Sequence, residues 1–284
     1  MTDDLLAAAV AAAQAGADVV RRYFRRDGLE VERKAKNDFV TQADKESEAA
    51  VIAEIHRRFP DHRILAEEGG GEGIGGGEIE WLIDPLDGTT NFMQGLPVYC
   101  VSVACRRGDE LLAGAILDPE GNNLFTATRG GGAQWNGKAM RVSDRAELDG
   151  AFLATGYPFR ALPTLDVYLD IFRDVFRHAK AIRRCGAAAL DLAYTAAGVY
   201  DGFFEFRLSP WDIGAGILLI REAGGMVTDL DGGHRSFESG NVIAGAPAVQ
   251  RELLAIAERH ASEAEIDRLN PIPPVRPAPA AASS

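Results

Sequence analysis

Residues 81–91 read WLIDPLDGTTN, and this stretch decides how the rest of the chain is interpreted. It begins as an apolar run typical of a buried strand, and two aspartates, Asp84 and Asp87, close that run. Pro85 excludes a regular helix at this point. Residues 88–91 predict a tight turn into a helix start, whose unpaired N–H groups favour an anion. The stretch therefore predicts a place where a hard cation and a phosphate group meet.

The composition is that of an ordinary globular protein with an acidic balance. Of the 284 residues, 46% are hydrophobic and 25% are charged, and the formal net charge is −12. This acidity argues against nucleic-acid binding, which needs a basic surface to neutralise phosphates, so we expect no nucleic-acid partner. It does not argue against small phosphorylated substrates, because bound cations reverse the local charge.

The cysteines and the N-terminus predict a cytoplasmic protein. The three cysteines, Cys100, Cys105 and Cys185, form no CxxC pair, which favours reduced thiols over a disulfide framework or a zinc site. The first residues are acidic and lack the basic start of a signal peptide. No apolar run approaches the ~20 residues of a membrane span, so we expect no membrane association.

The remaining periodicities predict a chain of mixed helices and strands without internal repeats. Apolar residues at helical spacing predict helices over 4–25 and from Asp44 to Phe59, and residues 97–135 predict an antiparallel meander. From 151 to 260, strands and helices alternate, which indicates a mixed sheet covered by helices.

Two further segments have a biased composition. The glycine tract 69–77 lacks the Gly-Lys-Ser/Thr ending and the following helix of a P-loop, so a surface loop is favoured over a phosphate cradle. The segment 270–284 is rich in proline and alanine and predicts a disordered tail.

Acidic side chains at predicted strand ends or helix starts form the candidate site. They are Asp44, Glu67, Asp84, Asp87 and Asp212. The five histidines occur in no ligand or triad spacing, and no GxSxG motif is present. A site built from carboxylates alone implies a hard, oxygen-preferring ion such as Mg²⁺ or Mn²⁺.

Each acid also has a simpler interpretation. Asp212 taken alone is better explained as a helix cap, and Glu67 with Glu68 as a solvated loop edge. Asp84 and Asp87 are different, because two acids that close an apolar strand are costly unless they are paired or bind a metal. Tight turns at Gly88 and Gly214 are expected to let the distant parts of the site approach one another.

Four motifs in order give the chain a family resemblance. They are DFVTQAD at 38–44, AEE at 66–68, WLIDPLDGTTN at 81–91, and WDIGAG at 211–216 running to EAGG at 222–225. In these motifs the chain resembles the inositol monophosphatase family of metal-dependent, lithium-sensitive phosphatases, over roughly residues 4–260. The resemblance implies an α+β fold, a layered αβαβα sandwich, with a single catalytic unit over 1–265 in halves of about 1–145 and 146–265. It also implies a homodimer.

The resemblance further implies a role for each site residue. Glu67, Asp84 and the carbonyl of Leu86 would bind one Mg²⁺, and Asp84, Asp87 and Asp212 a second, while Glu67 would hold a weaker third ion. Mn²⁺ is an alternative. Thr89 and Glu67 would orient the attacking water, with Asp44 supporting Thr89. The residues implied to contact the substrate and its phosphate are Asp87, Gly88, Thr89, Gly186, Ala187, Ala188 and Glu205.

The implied activity is Mg²⁺-dependent hydrolysis of inositol monophosphate or a similar polyol or sugar phosphate. Related activities share the metal motifs: those of histidinol-phosphate phosphatases, fructose bisphosphate or NADP phosphatases, and 3′-phosphonucleotide phosphatases. The ending of the 81–91 motif, together with Glu205, favours the inositol branch. A non-catalytic metal-binding or partner-binding protein on the same fold is the alternative from a different class.

Overall fold

A computed structural model of the chain describes residues 2–35, 38–69, 76–158 and 161–269. Most of the glycine tract and all of the tail 270–284 lie outside these ranges. The predictions of a surface loop and of a disordered tail therefore stay predictions.

The strands and helices follow in chain order. The strands are β1 (Val31–Ala35), β2 (Asp38–Thr41), β3 (Arg63–Ala66), β4 (Ile79–Asp87), β5 (Cys100–Arg107), β6 (Glu110–Asp118), β7 (Asn123–Thr128), β8 (Gly132–Trp135), β9 (Lys138–Ala139), β10 (Phe152–Thr155), β11 (Ala181–Arg183), β12 (Gly202–Glu205), β13 (Met226–Thr228) and β14 (Val242–Gly245). The helices are α1 (Thr2–Tyr23), α2 (Gln42–Arg58), α3 (Thr89–Met93), α4 (Leu165–Phe176), α5 (Ala188–Ala196), α6 (Pro210–Glu222), α7 (Ser236–Ser239), α8 (Pro247–His260) and α9 (Glu263–Leu269).

Two large sheets carry the fold of the described residues. The first has the strand order β3-β4-β5-β6-β7-β8-β9, in which β3 runs parallel to β4 and the other neighbours are antiparallel. The predicted meander is thus confirmed. The second sheet has the order β11-β10-β12-β14-β13, with parallel pairing around β10 and antiparallel pairing around β14.

Helices cover both sheets and fill the space between them. Helices α1 and α2 pack on the outer face of the first sheet, α5 and α6 lie between the sheets, and α4 and α8 cover the outer face of the second. This order of layers is the predicted αβαβα sandwich, which is confirmed. The division into one unit with two halves stays a prediction.

Strand β4 shows why its sequence is an unbroken apolar run. Trp81 and Ile83 face the core under α1 and α2, whereas Leu82 faces the core between the two sheets. Side chains alternate between the two faces of a strand, and here both faces are buried. β4 is therefore a central strand that carries its C-terminal acids into the interior.

One expectation about backbone geometry is wrong. Gly214 lies inside helix α6 and not in a turn. A Cβ atom at Gly214 would come within 2.7 Å of Leu82 Cδ1, so the missing side chain lets α6 pack closely on β4. The close approach of α6 to β4 therefore depends on a glycine on the packed face of the helix and not on a turn. The sequence patterns also miss four short elements: a 3₁₀ helix at Leu162–Thr164, β9, α7 and α9.

Within the described residues, no helix combines the length and the apolar character that a membrane crossing requires.

Candidate active site

One cavity of about 370 Å³ brings the two halves of the sequence together. Its lining includes these predicted site residues: Glu67, Asp84, Leu86, Asp87, Gly88, Thr89, Gly186, Ala187, Ala188, Glu205 and Asp212. Asp44 is the exception, because it lies behind Thr89, fully buried. The acids from β3, β4 and α6 therefore converge, although they are far apart in the sequence.

A bulge at the end of β4 places both of its aspartates in this cavity. Asp84 pairs with Ser102 and Asp87 with Cys100, so three steps on β4 match two steps on β5. Residues three apart on a regular strand point to opposite faces. The extra residue turns Asp87 to the same side as Asp84. Ser47 on α2 fixes the bulge by donating a hydrogen bond of 2.8 Å to the carbonyl of Pro85.

The other two acids reach the cavity from neighbouring elements. Glu67 directly follows β3, where its N–H donates to the carbonyl of Ile83, and Lys34 Nζ lies 3.6 Å from its carboxylate. Asp212 lies in the first turn of α6, and its Oδ2 accepts from the Ser209 N–H at 2.7 Å. Ser209 is the N-cap of α6, and Asp212 is the third helical residue, which completes a capping box with it. Asp212 therefore takes part in capping and also lines the cavity.

Burial and mutual repulsion dominate the electrostatics of the acids. Burial raises the pKa of Asp84 well above its usual range, and the nearby Glu67, Asp87 and Asp212 raise it further. Burial likewise raises the pKa of Asp87 to about 6, although a backbone N–H of α5 opposes this shift. A divalent cation reverses such shifts, because it stabilises the ionised form of every carboxylate around it.

The donor set fits a hard cation in chemistry and in burial. Its members are carboxylates and one backbone carbonyl, which are the ligands that Mg²⁺ prefers. As placed, no group of three or more His, Cys, Asp or Glu side chains in the described ranges stands in position to hold one ion. Backbone N–H groups hold one oxygen of Asp84 and one of Asp212. The ligand chemistry supports a cation site although the carboxylates are not grouped around one point, because a bound cation would attract their oxygens.

Thr89 is the residue best placed to handle a water molecule. Its hydroxyl lies 3.0 Å from Asp44 Oδ1 and 3.0 Å from the carbonyl of Leu86, and it has only one proton to donate. Asp44 in turn accepts from the N–H and the hydroxyl of Thr41. The Thr89 proton is therefore taken by Asp44 or by the Leu86 carbonyl, and the lone pairs of its oxygen can accept from a water.

Gly88 is needed for the turn between β4 and α3. Its φ of 92° lies in the left-handed region, and a Cβ atom would come within 2.9 Å of the Val98 carbonyl. α3 then begins at Thr89, as the sequence predicts. Asn91 links this helix to the second half, donating to the carbonyls of Val98 and Cys185 at 2.8 and 2.9 Å.

The start of α5 forms another link between the halves. Asp87 Oδ2 accepts a hydrogen bond of 2.7 Å from the N–H of Ala189, in the first turn of α5. Gly186 precedes this helix with a φ of 88°, and Ala187 is its N-cap. Within the predicted segment Gly186–Ala188, the backbone of Ala188 also hydrogen-bonds to Asp87, and all three small residues line the cavity.

Glu205 and several residues that the sequence patterns miss complete the lining of the cavity. Glu205 is the last residue of β12, and burial raises its pKa well above the usual range, with Asp191 adding to the shift. Three further lining residues, Phe39, Thr90 and Asn91, lie in the quoted motifs but without a predicted role. The unpredicted lining residues are Thr155, Gly156, Tyr157, Arg184, Asp191 and Leu208. Of these, Asp191 gives a usable signal, because it is an acid inside the apolar run that forms α5.

Comparisons with known proteins agree with this arrangement. The model of the inositol monophosphatase family matches residues 1–263. The Nus factor SuhB of Salmonella typhimurium is 47% identical over 255 residues, which cover 89% of this chain and 95% of that protein.

Two solved structures share the fold. The crystal structure of the extragenic suppressor protein suhB from Bartonella henselae has a TM-score of 0.83 and 42% identity, covering 89% of this chain and 97% of that one. The inositol monophosphatase from Anabaena (Nostoc) has a TM-score of 0.81 and 35% identity, covering 91% and 97%.

Proposed function

Because the chain belongs to the inositol monophosphatase family, we propose that it is a Mg²⁺-dependent phosphomonoesterase that hydrolyses inositol monophosphate or a similar polyol or sugar phosphate. The family is metal-dependent. The observation that carries the proposal is a single cavity lined both by the carboxylates that surround the end of β4 and by Glu205. A phosphate fits beside those carboxylates when cations neutralise them, and substrate hydroxyls fit beside Glu205.

The proposed metal ligands are the acids that surround the end of β4. Glu67, Asp84 and the carbonyl of Leu86 would hold one ion, Asp84, Asp87 and Asp212 would hold a second, and Glu67 would contribute to a weaker third. When bound, the ions lower the pKa of a coordinated water and neutralise the charge that develops during phosphoryl transfer. Asp84 would be a ligand of both ions, which the closeness of Glu67, Asp87 and Asp212 to it supports.

The chain's own contribution to the reaction is positioning. The Thr89 hydroxyl donates to Asp44 or to Leu86, so its oxygen accepts from the attacking water and directs that water's lone pair at phosphorus. Glu67 would accept the second hydrogen bond from the same water. The N–H groups of Gly88 and Thr89 would bind the phosphate oxygens at the start of α3.

The substrate beyond the phosphate would occupy the side of the cavity contributed by the second half. Glu205 would accept hydrogen bonds from hydroxyl groups, and Gly186, Ala187 and Ala188 would line the pocket around the ring. Asp87 would contact the substrate from the opposite side. Two carboxylates facing one ligand suit a compound with several hydroxyl donors.

The test is release of inorganic phosphate from inositol 1-phosphate with and without Mg²⁺. The wild-type protein should turn over only with the metal, and Asp87→Asn should lose most of the rate. Asp229→Asn is the control, because Asp229 is a buried aspartate that accepts only from backbone N–H groups of its own loop. Equal rates for wild type and Asp87→Asn would disprove the assigned mechanism.

A substrate panel separates the inositol reading from the related activities. It would contain inositol 1-phosphate, histidinol phosphate, fructose 1,6-bisphosphate, NADP and a 3′-phosphonucleotide. The 81–91 motif, Glu205 and the likeness to the Anabaena inositol monophosphatase support the highest kcat/KM for inositol phosphate. A clear preference for another member of the panel would move the proposal to that branch.

A second candidate function rests on the Nus factor SuhB relatives, at 47% identity over 89% of this chain. This chain would then act as a Nus factor, with or without phosphatase activity. Replacement of the gene in a strain lacking its own SuhB tests this, and the Asp87→Asn variant shows whether such a role needs the cavity. The prediction that the chain binds no nucleic acid rests on its charge of −12 alone.

Location, assembly and inhibition also stay proposals. Three free cysteines support a reducing, cytoplasmic location, which cell fractionation checks. The homodimer is checked by light scattering, and lithium sensitivity by adding Li⁺ to the phosphate-release assay.

A further inference from the structure

Gly156 and Glu205 lie side by side at one edge of the second sheet. Strands β10 and β12 run parallel, and Thr155 pairs with Phe204. The next residue on each strand is therefore Gly156 on one and Glu205 on the other. Both line the cavity, and both are buried.

The carboxyl group of Glu205 occupies the space that a side chain at Gly156 would need. The three heavy atoms nearest to a Cβ built on Gly156 are Oε1, Cδ and Oε2 of Glu205, all far inside van der Waals contact. The backbone of Gly156 is not in the left-handed region, so its conformation alone does not require glycine. The residue is small because a carboxylate packs directly on its Cα.

Packing, rather than hydrogen bonding, holds Glu205 in place. Its exposed fraction is 8%, and none of the described residues donates a hydrogen bond to its carboxylate. Arg184 and Asp191 act on it only electrostatically, through space. A buried carboxylate without a protein donor is costly, and hydroxyl donors from a ligand would satisfy it.

We propose that Gly156 is a positioning residue for substrate binding, whose missing side chain forms the recess that holds the Glu205 carboxylate toward the cavity. The steric part stands on the geometry alone, and the part concerning substrate rests on the proposed function. A methyl group at position 156 would displace the carboxylate and leave the metal end of the cavity unchanged, because the acids at that end come from β3, β4 and α6.

The first test compares two substrates in the Gly156→Ala variant. KM for inositol 1-phosphate should rise roughly tenfold or more, the typical effect of losing a charged hydrogen bond. Turnover of 4-nitrophenyl phosphate, which has no ring hydroxyl for Glu205 to accept from, should stay within about twofold of wild type at saturating Mg²⁺. Gly121→Ala is the matched control, because a Cβ atom at Gly121 would also overlap a side-chain carboxylate, that of Asp118, but outside the cavity.

The second test measures thermal midpoints and works even if Gly156→Ala folds poorly. Gly156→Ala should lower the midpoint in the wild-type background and leave it unchanged in the Glu205→Ala background, where the overlapping group is gone. An equal drop in both backgrounds, or an unchanged KM for inositol 1-phosphate, would overturn the proposal. A wild-type protein that releases no phosphate from any polyol phosphate would instead refute the proposed function, while the coupling of midpoints still decides the steric part.

Discussion

The two ends of strand β4 carry buried acids that have opposite surroundings. Near its start, Glu80 lies between two arginines, with Arg63 Nη2 at 2.9 Å and Arg106 Nη2 at 2.7 Å. At its end, Asp84 and Asp87 form no ion pair with a lysine or arginine of the described ranges, and other carboxylates surround them. One strand thus bears an acid with its counter-charge supplied by the protein and two acids without one.

This difference separates structural acids from functional ones better than burial does. Glu80 has an exposed fraction of 9% and Asp84 of 1%, so both are removed from water. A buried charge must be paired, hydrogen-bonded or neutralised. Where the protein does not supply the partner, a ligand is the remaining source, and this is why the end of β4 points to metal binding.

The largest expected effect is that of Asp84→Asn. Activity should fall at least about a hundredfold, because each ion would lose the shared ligand that neutralises charge in the transition state. Without metal, the same variant should be more stable than wild type at neutral pH. Burial and neighbouring acids raise the pKa of Asp84, so its ionised form destabilises the fold and a neutral isostere does not. Phosphate release and melting in EDTA measure the two effects.

Asp229→Asn provides the opposite pattern to Asp84→Asn. Asp229 has an exposed fraction of 1% and accepts from the N–H groups of Asp231, Gly233 and Arg235. Its amide variant should lose about 1–3 kcal/mol of stability, since an NH₂ group cannot accept these bonds, and should keep its activity. If Asp84→Asn were also less stable in EDTA, the acids at the end of β4 would be structural as well.

The second effect is that of metal removal on stability. A ligand at a hundred times its Kd stabilises the folded state by about 2.7 kcal/mol, so Mg²⁺ should raise the melting temperature of wild type by several degrees relative to EDTA. The shift should persist in Glu80→Gln and vanish in Asp84→Asn. If Mg²⁺ raised the melting temperature equally in wild type, Glu80→Gln and Asp84→Asn, the ion would bind at a site that does not include Asp84.

The sequence predicts the end of β4 well because its chemistry is local. Two acids, a proline, a glycine and a threonine within 81–91 predict the acids at the strand end, the turn and the helix start. The bulge is not predicted, and Ser47, which fixes it, lies on α2. Patterns of period two and 3.6 predict the strands and helices and indicate a mixed sheet covered by helices, whereas the layered αβαβα order enters through family resemblance. The roles of Asp44 and Glu205 enter only through family resemblance.

The part of the cavity around Glu205 is harder to predict, because the roles of its residues depend on contacts between segments that are distant in the sequence. Gly156 looks like any glycine after a strand, and only the pairing of β10 with β12 shows that a carboxylate lies on its Cα. The dual role of Asp212 and the helical position of Gly214 likewise depend on how α6 packs on β4. Periodicity specifies faces, but it does not specify which faces meet.

The third effect is that of Glu80→Gln at the start of β4. Stability should fall by about 1–2 kcal/mol, because Arg106 would keep its partly buried charge without a full counter-charge. Arg106 is fixed by two bonds to Glu80, from Nε at 2.9 Å and Nη2 at 2.7 Å, and it stacks over Phe237. Activity should stay within about twofold of wild type, in contrast to Asp84→Asn. Urea unfolding measures the loss of stability, and phosphate release measures the activity. A large loss of activity would show that the acid at the start of β4 is also needed for function.

The smallest effect concerns pH and the histidine beside the start of β4. The buried Trp81 donates through Nε1 to His62 Nδ1 at 3.0 Å, and His62 stacks on Phe59. This bond requires the neutral imidazole with its proton on Nε2. Burial accordingly lowers the pKa of His62.

The sign of the pH effect follows from which state binds more protons. As pH falls below about 6.5, His62 takes up a proton in the unfolded chain before it does so in the folded one, so stability is lost as pH falls through this window and is fully present above it. Since His62 is partly exposed, solvent screening should keep the loss below about 1 kcal/mol. In His62→Gln the amide oxygen can still accept from Trp81 but cannot titrate, so the difference between wild-type and variant unfolding free energies should slope with pH between about 5 and 7. If the two curves are parallel, the pKa of His62 is the same in the folded and the unfolded state, and protonation of His62 then has no effect on stability.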